Sequence, residues 1–387
     1  MSRIDDLIAQ HCPNGVEYRR LGEVGQFTRG NGLQKKDFTE SGVGCIHYGQ
    51  IYTHYKLWAT QTKSFVSADL AQRLRKASTG DLIIATTSEN DADVCKAVAW
   101  LGQDDVGVSS DAYIYRHSLD PKYVAYYFQT EHFQSQKRPF VSGTKVRRVS
   151  GENMAKIQIP APPLEVQREI VRILDTFTEL EAELEAELEA RRRQYKHYRD
   201  ELLSSHAATR PLGDLAANLD SQRRPVTKAS RAAGSIPYYG ASGVVDRVQE
   251  HIFDGDYLLV SEDGANLLAR STPIAFSITG KTWVNSHAHV LCFGTYVERR
   301  FVEIFLNSID LSPYITGAAQ PKLNQANLNV IPIPDLSFEE KENIVSILDV
   351  FDALVNDLSV GLPAELAARR QQYEYYRDKL LTFEEAR

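Results

Sequence analysis

ARRRQYKHYRDELL, residues 190–203, returns as ARRQQYEYYRDKLL at residues 368–381, with ten of the fourteen positions identical. A match of that length within one chain marks a duplicated architecture. Upstream, IVRILDTF at 170–177 returns as IVSILDVF at 344–351. A proline-bearing lead-in precedes each copy, IQIPAPPLE at 157–165 and VIPIPDLSFEE at 330–340. The repeat distance is 174 residues at the upstream block and 178 at the downstream block, so the second copy holds four extra residues, in LSVGLPAEL.

Both copies read as long helices. In the first, Ile173, Phe177, Leu180, Leu184, Leu188, Tyr195, Tyr198 and Leu202 recur at gaps of three, four or seven. In the second, Ile347, Phe351, Leu354, Leu358, Leu366, Tyr373, Tyr376 and Leu380 do the same but for one gap of eight, from Leu358 to Leu366. These spacings put each set on one helical face. Pro160, Pro162 and Pro163 delimit the first helix on one side and Pro211 on the other. Some forty residues at about 1.5 Å each make a rod of roughly 60 Å. The second helix is expected to break at Gly361–Pro363. Inside the first helix stands ELEAELEAELEA, residues 179–190, three verbatim tetrads with six glutamates and no basic residue. A core helix has no need of verbatim tetrads; a helix whose length matters does. The bland alternative is a solvated acidic face.

The helices divide the chain into four segments: a globular domain over 1–160, a helix over 161–208, a second globular domain over 209–335 and a second helix over 336–387. The globular segments hold short β-like runs bounded by glycine and aspartate: GDLIIATT, AYIYRH, GDYLLVSE and AHVLCF. Leu-Gly-acid opens both, at Leu21–Glu23 and Leu212–Asp214, and Gly-Asp precedes an apolar run in both, at Gly80–Asp81 and Gly255–Asp256. Between these anchors the residues diverge. The fold class is therefore α+β.

Apolar content of 43% and charged content of 25% are those of a soluble globular protein. No run of apolar residues is long enough for a membrane span, and MSRIDDLIAQ carries acids where a signal peptide would not. Cys12, Cys45, Cys95 and Cys292 are scattered, which fits a reducing cytoplasm and excludes a cysteine-rich zinc module. The net charge of −7 at first argues against a nucleic-acid partner. The two helical segments together hold nine net negative charges, however, and the two globular segments together are +2. Local fields, not the total, are what a polyanion meets.

A search for chemistry is negative. Gly280-Lys281 lacks the upstream glycine of a phosphate-binding loop, and GVG at 42–44 lacks the rest of a dinucleotide fingerprint. His287-Ala-His289 has no evident third ligand for a metal. Pro162-Pro163 lacks the flanking residues of an amino-methyltransferase motif. Glu262-Asp263 and Asp254/Asp256 read more simply as turn acids than as a magnesium site. No catalytic residue and no metal ligand is assigned.

What remains are polar loops suited to DNA. In the first globular domain these are Arg29, Asn31, Lys35 and Lys36, then Tyr48, then Ser142, Thr144, Lys145, Arg147 and Arg148 of SGTKVRR. In the second they are Gln222, Arg223, Arg224 and Lys228 of SQRRPVTK, Tyr238 and Tyr239, and Gln320, Lys322 and Asn324 of AAQPKLN. Arginine and lysine bind phosphates or guanine, and glutamine and asparagine can read adenine. Any one such loop is equally well a solvated turn; the case rests on their recurrence in both halves.

CPNGVEYRRLGEV (12–24), both lead-ins with the following IVxILDxF, both ARRxQYxxYRDxLL blocks, SGTKVRR and IPYYGASG (236–243) together resemble the specificity subunit of bacterial type I restriction–modification systems. The resemblance covers essentially the whole chain. It implies two target-recognition domains, each reading half of a split site in double-stranded DNA, and two long helices packed as an antiparallel coiled coil with pseudo-two-fold symmetry. Candidate residues of the subunit-interface helices are Phe177, Leu180, Leu184, Leu188, Tyr195 and Tyr198 in the first copy. Phe351, Leu354, Leu358, Tyr373 and Tyr376 are those of the second. The implied partners are two methyltransferase (modification) subunits and, beyond them, restriction subunits; no membrane is involved. S-adenosylmethionine would sit on the modification subunit, and ATP and Mg on the restriction subunit, with no cofactor on this chain. Two readings compete: a coiled-coil protein scaffold without DNA readout, and a methyltransferase or nuclease with a cryptic site.

Overall fold

The computed structural model describes residues 3–204, 208–317 and 320–386. Two compact units emerge, and they do not follow the sequence segments. One gathers residues 1–184 with 366–387, the other residues 185–365. Each therefore combines one globular domain with part of both helical repeats.

The first repeat is one continuous helix, Leu164–Leu203, of 40 residues. The second is two helices of 19 residues each, Phe338–Asn356 and Leu362–Leu380. The interruption falls where Gly361 and Pro363 predict it. Gly361 is buried there, and a Cβ on it would overlap the Ala353 carbonyl oxygen. Ser337 caps the Phe338–Asn356 helix, its side chain accepting from the Glu340 amide while Glu340 reaches back to the Ser337 amide.

Both globular domains are built on one plan. In the first, a five-stranded sheet runs in the order Gly25–Arg29, Ala112–His117, Leu82–Ala85, Ala97–Trp100, Trp58–Ala59. In the second, a four-stranded sheet runs Ala217–Asn218, Ala288–Cys292, Tyr257–Ser261, Ala275–Ile278. The four β-like runs singled out from sequence are the central strands of these sheets. A second sheet follows in each. Val43–Ile46 lies parallel to Val106–Val108 in the first domain, and Ala233–Gly240 parallel to Lys281–Val284 in the second. The proline lead-ins close the domains. Gln158–Pro160 pairs antiparallel with Tyr18–Arg20, and Pro332–Pro334 with Thr209–Pro211. These are two-stranded ribbons, where a proline's missing N–H is tolerated.

The central strand Leu82–Ala85 is buried on both faces. Leu82 and Ile84 enter one core with Tyr115 and Tyr123, while Ile83 and Ala85 enter another with Val98 and Trp100. The first of these cores extends into the helices: Val166, Ile170 and Leu174 bring one face of the long helix, and Leu381 closes it. The second unit repeats this with Ile344, Val345, Leu348 and Leu203. Cys12, Cys45 and Cys95 are buried and Cys292 is half-buried. Among the described residues no helix is long and apolar enough to cross a membrane.

The helical repeats pair antiparallel within each unit, and they exchange partners. In the first unit Phe177 stacks on Tyr376 with ring centres 5.6 Å apart, and Glu181 pairs with Arg370 at 2.6 Å. In the second, Phe351 meets Tyr198 at 5.7 Å. Phe177 and Phe351 are equivalent positions of the repeat, as are Tyr198 and Tyr376. The front of each copy thus packs against the back of the other. Of the candidate interface residues, Phe177, Tyr198, Phe351, Tyr373 and Tyr376 serve this internal pairing, and Tyr195 packs against the core of the second unit. Leu188 is buried, while Leu180, Leu354 and Leu358 face outward.

His117 ends a central strand of the first domain and carries a pH consequence. Burial lowers its pKa to about 4, offset only in part by the Leu119 backbone and the Asp81 and Asp120 carboxylates. With an unfolded value of about 6.5, the unfolded chain takes up this proton first as pH falls. The stabilising contribution is complete above about pH 6.5 and is lost toward pH 4, to a total of about 3 kcal/mol. Urea unfolding at pH 7 and pH 4.5 should show His117→Phe losing about 2 kcal/mol less on acidification than the parent chain. Parallel losses would exclude His117 as the source.

Candidate nucleic-acid interface

Each domain carries the same short hairpin. Ser142 and Arg148 exchange both backbone hydrogen bonds, at 2.9 and 2.8 Å, and Thr316 and Lys322 do so at 2.8 and 2.7 Å. In both, the first hydroxyl also donates to the last carbonyl, at 3.2 Å. A glycine follows the hydroxyl residue in each. Gly143 has φ +93° and Gly317 φ +85°, and a Cβ on either would overlap the carbonyl oxygen three residues on. Only glycine holds that backbone without strain. The frame is thus SGTKVRR against TGAAQPK, shifted by two residues from the AAQPKLN stretch chosen from sequence; Ala318 and Ala319 lie outside the described residues.

Each hairpin is fastened to the loop that leaves the central strand. In the first domain Arg147–Arg148 pairs with Thr87–Ser88, and Arg147 reaches Asp91 at 2.8 Å and the Gly143 carbonyl at 2.6 Å. Lys137, fully buried, fixes that loop from below by donating to the Ala92 and Val94 carbonyls at 3.1 and 2.8 Å. In the second domain Lys322 bridges to Asp263 through the backbone and to Glu262 through its ammonium at 3.1 Å.

Behind that second hairpin lies a buried charge network. Arg223 contacts Glu262 at 2.6 Å and Asp220 at 3.4 Å, and donates to the Ala288 carbonyl at 2.7 Å. His289 sets Nδ1 2.6 Å from Asp220 and Nε2 2.7 Å from the Leu323 carbonyl. Burial alone would raise the pKa of both carboxyls. The His289 contact more than offsets this at Asp220, and Arg223 and Lys322 do so at Glu262, so both are held below their ordinary values. Asp220, Glu262 and His289 bring possible ligand atoms within 4.8 Å of one another, a grouping that spacing in the sequence concealed. Arg223 and Lys322 already compensate its charge, which suits an ion-pair network better than a cation site. His287, the other half of the His-Ala-His pair, turns to Asp263 at 2.8 Å.

The fate of each chosen residue follows. Lys35, Lys36, Thr144, Lys145 and Arg148 are exposed in the first domain, and Gln222, Arg224, Lys228 and Gln320 in the second. Lys322 is half exposed despite its ion pair. Arg29 keeps an exposed side chain while donating to the Ser110 carbonyl at 2.7 Å, and Tyr48 is half-buried. Others are spent internally. Asn31 bonds the Arg73 carbonyl and the Arg75 amide, at 2.9 and 2.6 Å. Asn324 caps the Gln325–Asn329 helix. Arg223 belongs to the buried network. Tyr238 is 1% exposed, with its hydroxyl on Val226 and Arg231 over its ring, and half-buried Tyr239 packs on Phe276. The Tyr238 ring is not free to meet a base, because leaving the core would expose apolar area and break these bonds.

The pattern of a family described as the type I restriction modification DNA specificity domain matches this sequence twice, over residues 13–190 and 205–368. The chain belongs to that family. A putative type I restriction enzyme specificity subunit of Haemophilus influenzae, S.HindORF215P, is 36% identical over 188 residues, spanning 48% of each chain. The EcoR124I/EcoR124II specificity subunit of Escherichia coli is 31% identical, over 68% of this chain and 70% of that one. The crystal structure of a type I restriction–modification S subunit from M. genitalium shares the fold with a TM-score of 0.58 at 14% identity, covering 95% of this chain and 96% of that one. Conferring DNA sequence specificity within a type I restriction–modification complex is the function of this family.

Within the specificity family frame, the residues that sequence reading missed are those of the strand-exit loop Thr87–Asp91, while Glu262–Asp263 read from sequence only as turn acids. The signal was present: both follow the Gly-Asp apolar runs directly. The hairpin glycines give a sharp prediction. Gly143→Ala forces a left-handed backbone on alanine, at about 1 kcal/mol or somewhat more, since the hairpin tip is exposed and frees itself by rearranging. We expect thermal unfolding to shift by only a few degrees while DNA binding by the assembled complex falls about tenfold. A gel-shift titration with wild-type affinity would sink this.

Proposed function

We propose that this chain reads an asymmetric, two-part DNA site, one half with each globular domain, and performs no reaction of its own. The observation that carries this reading is the repeated hairpin, one backbone frame presenting Thr-Lys-Val-Arg-Arg in one unit and, among the described residues, Gln-Pro-Lys in the other. A conserved frame with divergent side chains is what two readers of different half-sites require. Lys145 and Arg148 are suited to phosphates or guanine, and Gln320 to adenine.

The chemistry belongs to partners. Two modification subunits carrying S-adenosylmethionine assemble on the helices, and restriction subunits using ATP and Mg join them, in the cytoplasm where the DNA lies. An apolar stripe supports a seat for such a partner. Ile347, Val350 and Leu354 follow one face of the Phe338–Asn356 helix and Leu358 lies in the turn just after it; Val350 and Leu358 are 71% and 82% exposed. The competing scaffold reading has no use for the duplicated hairpin.

The test is single-molecule methylome sequencing of a methylation-free host expressing this chain with its cognate modification subunit. An asymmetric two-part motif with a fixed unread gap, methylated once on each strand, is the expected result. An assembled complex that leaves DNA unmethylated returns the chain to the scaffold reading, and methyl transfer by this chain alone to the enzyme reading.

A further inference from the structure

We propose that Asp175 and Asp349 are positioning residues that fix the roll of each recognition domain on its helix, and thereby hold the gap between half-sites to one value. The proposal rests on the two-part reading above. Both aspartates occupy the same place in the IVxILDxF repeat, and both are gripped by a tyrosine hydroxyl and a cation from the domain helix that follows a central strand. In the first unit that helix is Pro121–Tyr127: Lys122 Nζ meets Asp175 at 2.7 Å and the Tyr126 hydroxyl donates to it at 2.8 Å. In the second it is Tyr296–Ser308: Arg300 Nε meets Asp349 at 2.6 Å and the Tyr296 hydroxyl donates at 2.7 Å.

The order of the two partners is reversed. The cation precedes the tyrosine by four residues at 122 and 126 and follows it by four at 296 and 300. Simple descent from a common ancestor preserves residues in register. Here the residues have changed places and the chemistry has stayed, which points to a requirement for the grip itself. A spacing of four sets the two donors one turn apart on one face, so they hold both carboxylate oxygens at once. Two contacts on one carboxylate oppose rotation of the domain about the helix, which apolar packing alone resists poorly because it is non-directional. Both clamps are reinforced. Lys122 lies 3.9 Å above the Trp58 ring, and Arg300 also holds Asp352 and Glu303 at 2.6 and 2.7 Å. In both units the leucine just before the aspartate, Leu174 or Leu348, is fully buried in the core, so the clamp sits on the element that joins domain to rod.

One base pair corresponds to a turn of about 34–36°, so a modest gain in roll admits a gap one pair longer or shorter. The experiment compares methylation of duplexes carrying the native gap with duplexes one base pair longer and shorter, using the assembled complex. Asp175→Asn and, independently, Lys122→Met should lower the preference for the native gap about tenfold, the scale of one lost charge-assisted hydrogen bond, with the half-site sequences unchanged. Lys122→Arg, which installs the cation of the other unit, should retain it. An equal loss on all three duplexes would assign these residues to stability alone, and an unchanged preference in an assembled variant would overturn the clamp. A parent complex with no preferred gap would overturn the two-part reading, and this proposal with it.

Discussion

Deleting Glu183–Ala186 is expected to shorten the unread gap of the target by one base pair and leave both half-sites as they were. The tetrad lies within the continuous Leu164–Leu203 helix, and the division between the two compact units falls between Leu184 and Glu185, inside the repeated tetrads. Removing four residues draws the flanking helical segments together by about 6 Å and changes their relative rotation by about 40°. A base pair rises about 3.4 Å and turns about 34–36°, so the rotation nearly matches one pair while the translation overshoots. Rotation governs which groove face a reading loop meets, and a small mismatch in rise is absorbed by bending of protein or DNA. Methylome sequencing of the deletion variant decides the matter; the ruler idea fails if the gap keeps its length or if a half-site changes instead.

Lys137→Ala should be the most damaging single substitution of a charged residue in the first unit. Its side chain is fully buried and its ammonium holds two carbonyls of the 91–95 loop, where Cys95 has a left-handed backbone. Burial lowers the lysine pKa, yet the two carbonyls and nearby Asp91 and Asp93 give the proton reason to stay. Alanine leaves both carbonyls unsatisfied and opens a cavity, at a cost of about 3–5 kcal/mol. For a unit of this size that is a fall in Tm of roughly 10 °C. Lys137→Met refills much of the volume without the donors and should recover less than half of the loss. Hydrogen exchange should quicken at the 91–95 amides first, and reading of the half-site served by this domain should suffer before the other. Full recovery by methionine would show that volume, and not the two hydrogen bonds, is what Lys137 supplies.

Much of the site was legible because its signals are local. Gly143 and Gly317 each follow a hydroxyl residue in a polar turn, and SGTKVRR was recognisable as a loop that presents cations. The strand-exit loops were not singled out, although they begin at the ends of GDLIIATT and GDYLLVSE. Arg223, Tyr238, Asn31 and Asn324 looked equally suitable, and nothing near them in sequence distinguishes a side chain that faces solvent from one that bonds inward. Arg223 and Asn31 find partners far along the chain, Glu262 for Arg223 and the Arg73 carbonyl and Arg75 amide for Asn31, whereas Asn324 caps the helix that begins at the next residue. The same holds for the clamp, where Lys122 finds Asp175 and Arg300 finds Asp349 across about fifty residues.

By itself the sequence determined the duplication, the lengths of the helices, the break at Gly361–Pro363, the strands at the centre of each sheet and the absence of a recognisable catalytic motif. These follow from periodicity and from proline and glycine, which act on the backbone within a few residues. The tertiary structure decided who pairs with whom. Phe177 and Tyr198 lie at different turns of one continuous helix, Leu164–Leu203. The front of the first copy therefore cannot meet its own back; Phe177 finds Tyr376 and Phe351 finds Tyr198.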